Sequence, residues 1–171
     1  MKIEIEKLFV LTCGEKDILS GELCAEGINQ SKIIGAKIAS ITGTKTANVF
    51  FSNYNDDEPI KDTSGIVFSK VQEKSRLVFP VYINSRKMDN IWEILDEIYS
   101  LQCNVVILVM CPSSINRLMR YFCEDNNISL PSPSDQTIGH CRGYEIDCIN
   151  KKCTSIDWSR AVENSQAACP Y

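Results

Sequence analysis

A chain of 171 residues with 44% hydrophobic and 23% charged residues carries enough apolar material for one packed domain, which excludes an intrinsically disordered chain. The formal charge of −4 gives no basic excess, so wholesale binding to a nucleic-acid backbone is not favoured, although a local basic patch stays open. No run reaches the roughly eighteen uncharged apolar residues of a membrane helix, and Met1–Glu6 lacks the apolar core of a signal peptide, so the expectation is a soluble intracellular protein of cytoplasm or nucleus.

In chain order, Leu8-Phe9-Val10-Leu11 reads as a buried strand running into a small polar turn, Thr12-Cys13-Gly14-Glu15. From Cys24 onward, Ile28, Ser31, Gly35, Ile38 and Ile41 recur at helical spacing, predicting a helix near 25–41 that Thr42-Gly43-Thr44 closes. Residues 47–52 form a second short apolar run, and the acidic stretch Asp56-Asp57-Glu58 before Pro59 suits the first turn of a helix over 57–69. Leu77 to Tyr82 reads as a strand or an extended connection, and Pro80 argues against a central strand. Ile91, Ile94, Leu95, Ile98 and Leu101 predict an amphipathic helix over 86–101, begun by Asn84 or Ser85.

The strongest signal is Val105-Val106-Ile107-Leu108-Val109-Met110, a continuous and mostly β-branched run expected to be a strand buried on both faces, near 104–110. It ends at Cys111-Pro112, and Ile115, Leu118, Met119 and Phe122 continue as a helix over 113–125. Residues 138–149 and 153–157 read as two edge strands in a hairpin. Together these predict an α/β fold, a three-layer sandwich around a mostly parallel central sheet, as a single domain over 1–157 with a C-terminal tail over 158–171.

Nine scattered cysteines, an odd number with no Cys-x-x-Cys, read as reduced thiols acting mostly as small buried hydrophobes. The nearest approach to a metal constellation is His140 with Cys141, Cys148 and Cys153. It lacks knuckle-like spacing, so no metal and no cofactor are expected.

The order of pieces resembles the histidine phosphatase (phosphoglycerate mutase-like) superfamily over about residues 7–157. Thr12-Cys13-Gly14-Glu15 stands where that family has Arg-His-Gly-Glu, and Leu23 to Ser31 is similar to its Leu-Thr-x-x-Gly-x-x-Gln-Ala helix start, with Cys24 in place of the capping threonine. Phe51-Ser52-Asn53-Tyr54 is similar to its Ser-Ser-Pro-Leu strand end, and Val109 to Ser113 to its Val-Ser-His-Gly-Gly turn. The resemblance implies a phosphoryl site with its working residues replaced: Cys13 for the nucleophilic histidine, Thr12 for the neighbouring arginine, Asp56 for the second arginine and Cys111 for the second histidine, with no acid to protonate the leaving group.

Independently of any family, a phosphoryl dianion needs fixed donors and positive charge, and Asp56 with its acidic neighbours repels it. The resemblance makes the expectation a pseudoenzyme without catalytic residues, an interaction or assembly module with a protein partner, since members of that superfamily lacking the full catalytic set are known in larger assemblies, including subunits associated with transcription. The rival chemistry is a cysteine-dependent phosphatase, since Cys111 to Arg117 satisfies Cys-x5-Arg between a strand and a helix. Against it, Pro112 removes an N–H and the loop holds no glycine.

Overall fold

The computed structural model describes residues 4–52, 58–83, 90–131 and 139–157. Among the described residues six strands, β1 (Lys7–Leu11), β2 (Ala47–Ser52), β3 (Val78–Ile83), β4 (Val105–Val109), β5 (Arg142–Asp147) and β6 (Lys152–Asp157), form one sheet in the order β3-β2-β4-β1-β5-β6. Among the described residues four helices accompany them: α1 (Ala25–Thr42), α2 (Glu58–Gln72), α3 (Ile91–Ser100) and α4 (Pro112–Asn126). β3, β2, β4 and β1 run parallel, and β5 and β6 return antiparallel at the other side, giving the expected mostly parallel α/β sheet.

The centre is β1 beside β4, paired from Lys7 with Val105 to Leu11 with Val109. Every residue of β4 is buried, as its unbroken apolar run requires. Side-chain alternation splits the core in two. Leu8, Val10, Val106 and Leu108 face α3 and α4 through Ile94, Ile98, Leu118 and Phe122. Phe9, Leu11 and Ile107 face α1 and α2 through Ile34, Ile38, Val67 and Val71. Full burial of each such side chain contributes about 2 kcal/mol, so the two layers hold the sheet independently of the loops at its ends.

Local chemistry sets the boundaries. Cys24 takes the N-cap of α1, its sulfur accepting the Gly27 N–H at 3.4 Å, and Gly43 closes the helix at φ 57° with its N–H donating to the Ala39 carbonyl. Pro112 opens α4, where a missing N–H costs nothing, and Asn127 ends it in the left-handed region.

Three expectations need correction or completion. The helix expected over 86–101 is described from Ile91, with Asn90 rather than Asn84 or Ser85 at its N-cap; residues 84–89 lie outside the described residues. The strand expected over 138–149 is only Arg142–Asp147, because the Asp147 carboxylate accepts both the Asn150 backbone N–H at 2.9 Å and its side-chain amide at 3.0 Å, turning the chain early. Leu77 to Tyr82 contains a true strand, β3, and Pro80 sits on the sheet's edge, where a missing donor is tolerated. The 158–171 tail falls outside the described residues. Among those described, no helix is long and apolar enough to cross a membrane.

Because Ile107 is fully buried beneath α1 and α2, Ile107→Ala should lower the unfolding free energy by about 3 kcal/mol. Urea denaturation followed by circular dichroism measures it, with the m-value unchanged.

Candidate functional site

Parallel strands deliver their carboxyl ends to one edge, and here that edge carries Thr12-Cys13-Gly14-Glu15 after β1 and Met110-Cys111 after β4. The Met110 N–H donates to the Leu11 carbonyl at 2.8 Å, which holds the two turns side by side. β5 runs the other way, so its first residues join them at the same edge.

Thr12 is 1% exposed and its hydroxyl is fully used. It donates to the Gly139 carbonyl at 2.6 Å, lies 3.2 Å from the Arg142 carbonyl, and accepts the Arg142 N–H at 3.1 Å. The Thr12 backbone N–H also donates to the Arg142 carbonyl, and the Cys141 N–H to the Cys13 carbonyl. Thr12 is thus a tie between the first turn and the start of the hairpin.

Cys13 is 5% exposed and packs with Ile60 of α2 and Val109 of β4. Behind it, the Gly14 N–H donates to the Thr63 hydroxyl at 3.1 Å, and the Ser31 hydroxyl donates to the Gly27 carbonyl at 2.7 Å while lying 3.4 Å from Thr63. Gly14 and Gly27 are required by contact. A Cβ on Gly14 would strike the Gly27 backbone, and one on Gly27 would strike that of Glu15, so the turn lies directly on the start of α1. Cys141 is buried in the same layer, where desolvation first and the neighbouring Cys13 second push its thiol up to about 12.

Cys111 is exposed at the N-cap of α4, and its carbonyl accepts the N–H groups of Ser114 and Ile115 at 3.0 and 3.2 Å. Residues 112–117 are therefore helix from the first turn, rather than a loop wrapping an anion. Arg117 is exposed six residues along α4, about 9 Å of helical rise from Cys111. Asp56 lies outside the described residues. His140 is exposed in the turn that Thr12 ties, and the Arg142 guanidinium reaches Asp157 on β6 at 3.3 Å.

The cysteines of the zinc reading do not converge, because Cys141 belongs to the α1/α2 layer while Cys148 and Cys153 pack on the α3/α4 layer. Burial pushes Cys148 up to about 12, and Cys153 shares a thiol hydrogen bond with Cys123 of α4. Among the described residues no group of three or more His, Cys, Asp or Glu is placed to hold a metal ion.

The structure thus brings Thr12 and Cys13 together with ties that sequence reasoning passed over: Gly14, Gly27, Ser31, Thr63 and Cys141. Ser31 was visible as a small residue in the α1 pattern, and both it and Gly27 as members of the Leu23 to Ser31 helix start. Thr63 gave no signal and Cys141 figured only in the zinc grouping, since the partners that tie them here lie 49 and 128 positions away along the chain (Gly14 to Thr63; Cys13 to Cys141).

Thr12→Val keeps the shape and removes the hydroxyl, leaving the buried Gly139 and Arg142 groups short of partners. Thermal unfolding should show a loss of about 2 kcal/mol. In the native protein, iodoacetamide should modify Cys111 well before Cys13 or Cys141, as peptide mass spectrometry after timed quenching would show.

No family model and no curated protein matches the sequence. Solved structures do match. One is the Agrobacterium tumefaciens protein assigned as the phosphohistidine phosphatase SixA, with a TM-score of 0.54 at 15% identity, covering 89% of this chain and 96% of that one. Another is described as mycobacterial hydrolase 1, with a TM-score of 0.52 at 13% identity, covering 90% of this chain and 97% of that one. At such identities the likeness concerns the fold alone: this chain shares the fold of the protein assigned as SixA.

Proposed function

We propose that this chain is a non-catalytic histidine-phosphatase-like domain working inside the cell, in cytoplasm or nucleus, as an interaction or assembly module for a protein partner. The observation that carries the reading is the use made of the first turn. Where the fold's nucleophile and its arginine would stand, Cys13 is buried against Ile60 and Val109, and Thr12 spends its hydroxyl on the chain itself. Phosphoryl transfer rests on positive charge and preorganised donors aimed at the transferring oxygens. A buried thiol in an apolar contact and a hydroxyl already bonded supply neither. Arg142, the cationic side chain tied to this turn through its backbone, reaches Asp157 instead.

The cysteine-phosphatase alternative, Cys111 with Arg117, draws no support from geometry, since the helix occupies the residues that would form the phosphate loop. An α/β sandwich with both sheet faces filled is a rigid platform whose remaining surface is free to evolve toward binding.

The expected outcome is that purified, reduced protein turns over an aryl phosphate no faster than buffer, and that Cys13→Ser, Cys111→Ser and His140→Ala leave that background unchanged. Turnover abolished by any one of the three substitutions would overturn the proposal. Affinity purification from the native cells should in addition return the chain with a partner at fixed stoichiometry.

A further inference from the structure

We propose that an open groove beside the turn, on the α1/α2 side of the sheet, is a docking site for a basic segment of a partner protein anchored by an apolar side chain. The inference rests on the interaction-module reading and names its surface. The groove has a volume of about 840 Å³ and lies at the carboxyl ends of β2 and β3. One wall is a single stripe of α2, made by Glu58, Lys61, Asp62, Gly65, Ile66 and Ser69 at helical spacing.

Three observations specify the occupant. The first is charge: among the described residues lining the groove, Glu22, Glu58 and Asp62 stand against one cation, Lys61, and none of the three makes an ion pair with another described residue. A lysine or arginine from outside is the complement. The second is the aromatic and aliphatic lining. Phe51 and Tyr82 meet at a tilt of 35° with ring centroids 5.6 Å apart and Tyr82 65% exposed, and Leu23 and Ile28 add aliphatic surface. These suit an apolar anchor and a cation over a ring face.

The third is Gly65. A glycine in the interior of α2 disfavours the helix, and a Cβ there would meet nothing within 4 Å, so no described group requires the vacancy. The vacancy fits close approach by something else. The loop leading into the groove adds apolar surface: Ile18 and Leu19 are 98% and 97% exposed, on a segment closed by the Lys16–Leu23 bridge and by Asp17 accepting the Leu19 and Ser20 N–H groups.

The test uses the full chain and a short labelled peptide alternating lysine and leucine, with its glutamate–leucine counterpart as control, followed by fluorescence anisotropy. The basic peptide should bind, more weakly at high salt, and the acidic one should not. Glu58→Lys with Asp62→Lys should raise Kd about tenfold or more, whereas Asp96→Lys with Glu97→Lys on the exposed side of α3, the same change in net charge, should shift it less than about twofold. Gly65→Leu should weaken binding about tenfold, while Gly65→Ala should retain it and raise Tm by about 3 °C.

Equal loss in both charge-reversed pairs would reduce binding to general attraction and overturn the proposal, as would binding of the acidic peptide. Concentration-dependent dimerisation abolished by Gly65→Leu would assign the groove to a second copy and overturn the partner segment. Failure of the basic peptide to bind, with no phosphatase turnover, would sink the docking site and leave the module reading standing. Turnover of the aryl phosphate would sink that reading whatever the peptide does.

Discussion

Burial of β1 and β4 on both faces is the constraint on which the molecule depends. A strand whose two faces are apolar must be covered twice, and the chain meets this with α1 and α2 on one side and α3 and α4 on the other. Parallel connections place helices so, which in turn brings the carboxyl ends of β1, β2, β3 and β4 to a single edge. The antiparallel hairpin of β5 and β6 then completes the sheet beside β1 and sends the start of β5 to that same edge.

What occupies the edge is held by two kinds of contact. Thr12 binds the hairpin's first residues through its hydroxyl, and Gly14 lies against Gly27 so closely that neither tolerates a side chain. Ser31 and Thr63 continue the tie into α1 and α2. Each of these groups is neutral and satisfied within the chain, and a satisfied buried polar group stabilises its surroundings without being available to a substrate. The contrast with the groove on the same side is plain: there Glu22, Glu58 and Asp62 are charged and exposed with no ion pair to another described residue, and Tyr82 is exposed.

The shared fold with SixA and with mycobacterial hydrolase 1 is a statement about layers and connections, at 15% and 13% identity. Layers and connections follow from apolar patterning, which tolerates wide substitution as long as volume and period are kept. Chemistry rests on a few side chains at the turns, and those are free to change while the core stays. A chain of this architecture therefore has its activity decided at the edge of its sheet and not by its sheet.

The sequence by itself determined the strands and helices with continuous or periodic apolar patterns. β4 was legible because it is buried on both faces, and α1, α3 and α4 because each presents one apolar stripe; Gly43 and Pro112 marked two boundaries through their own backbone chemistry. It also located the turn after β1 and the replacement residues Thr12 and Cys13. Only the tertiary structure decided what those residues do. Thr12 meets Gly139 and Arg142 about 130 positions away, Cys13 meets Ile60 and Val109, and the Cys-x5-Arg pattern folds as helix because its residues continue the apolar stripe of α4. β3 remained ambiguous for a related reason. Its edge position, which makes Pro80 acceptable, is a property of strand order, and strand order is set by which faces and ends meet in space rather than by any residue's neighbours in the chain.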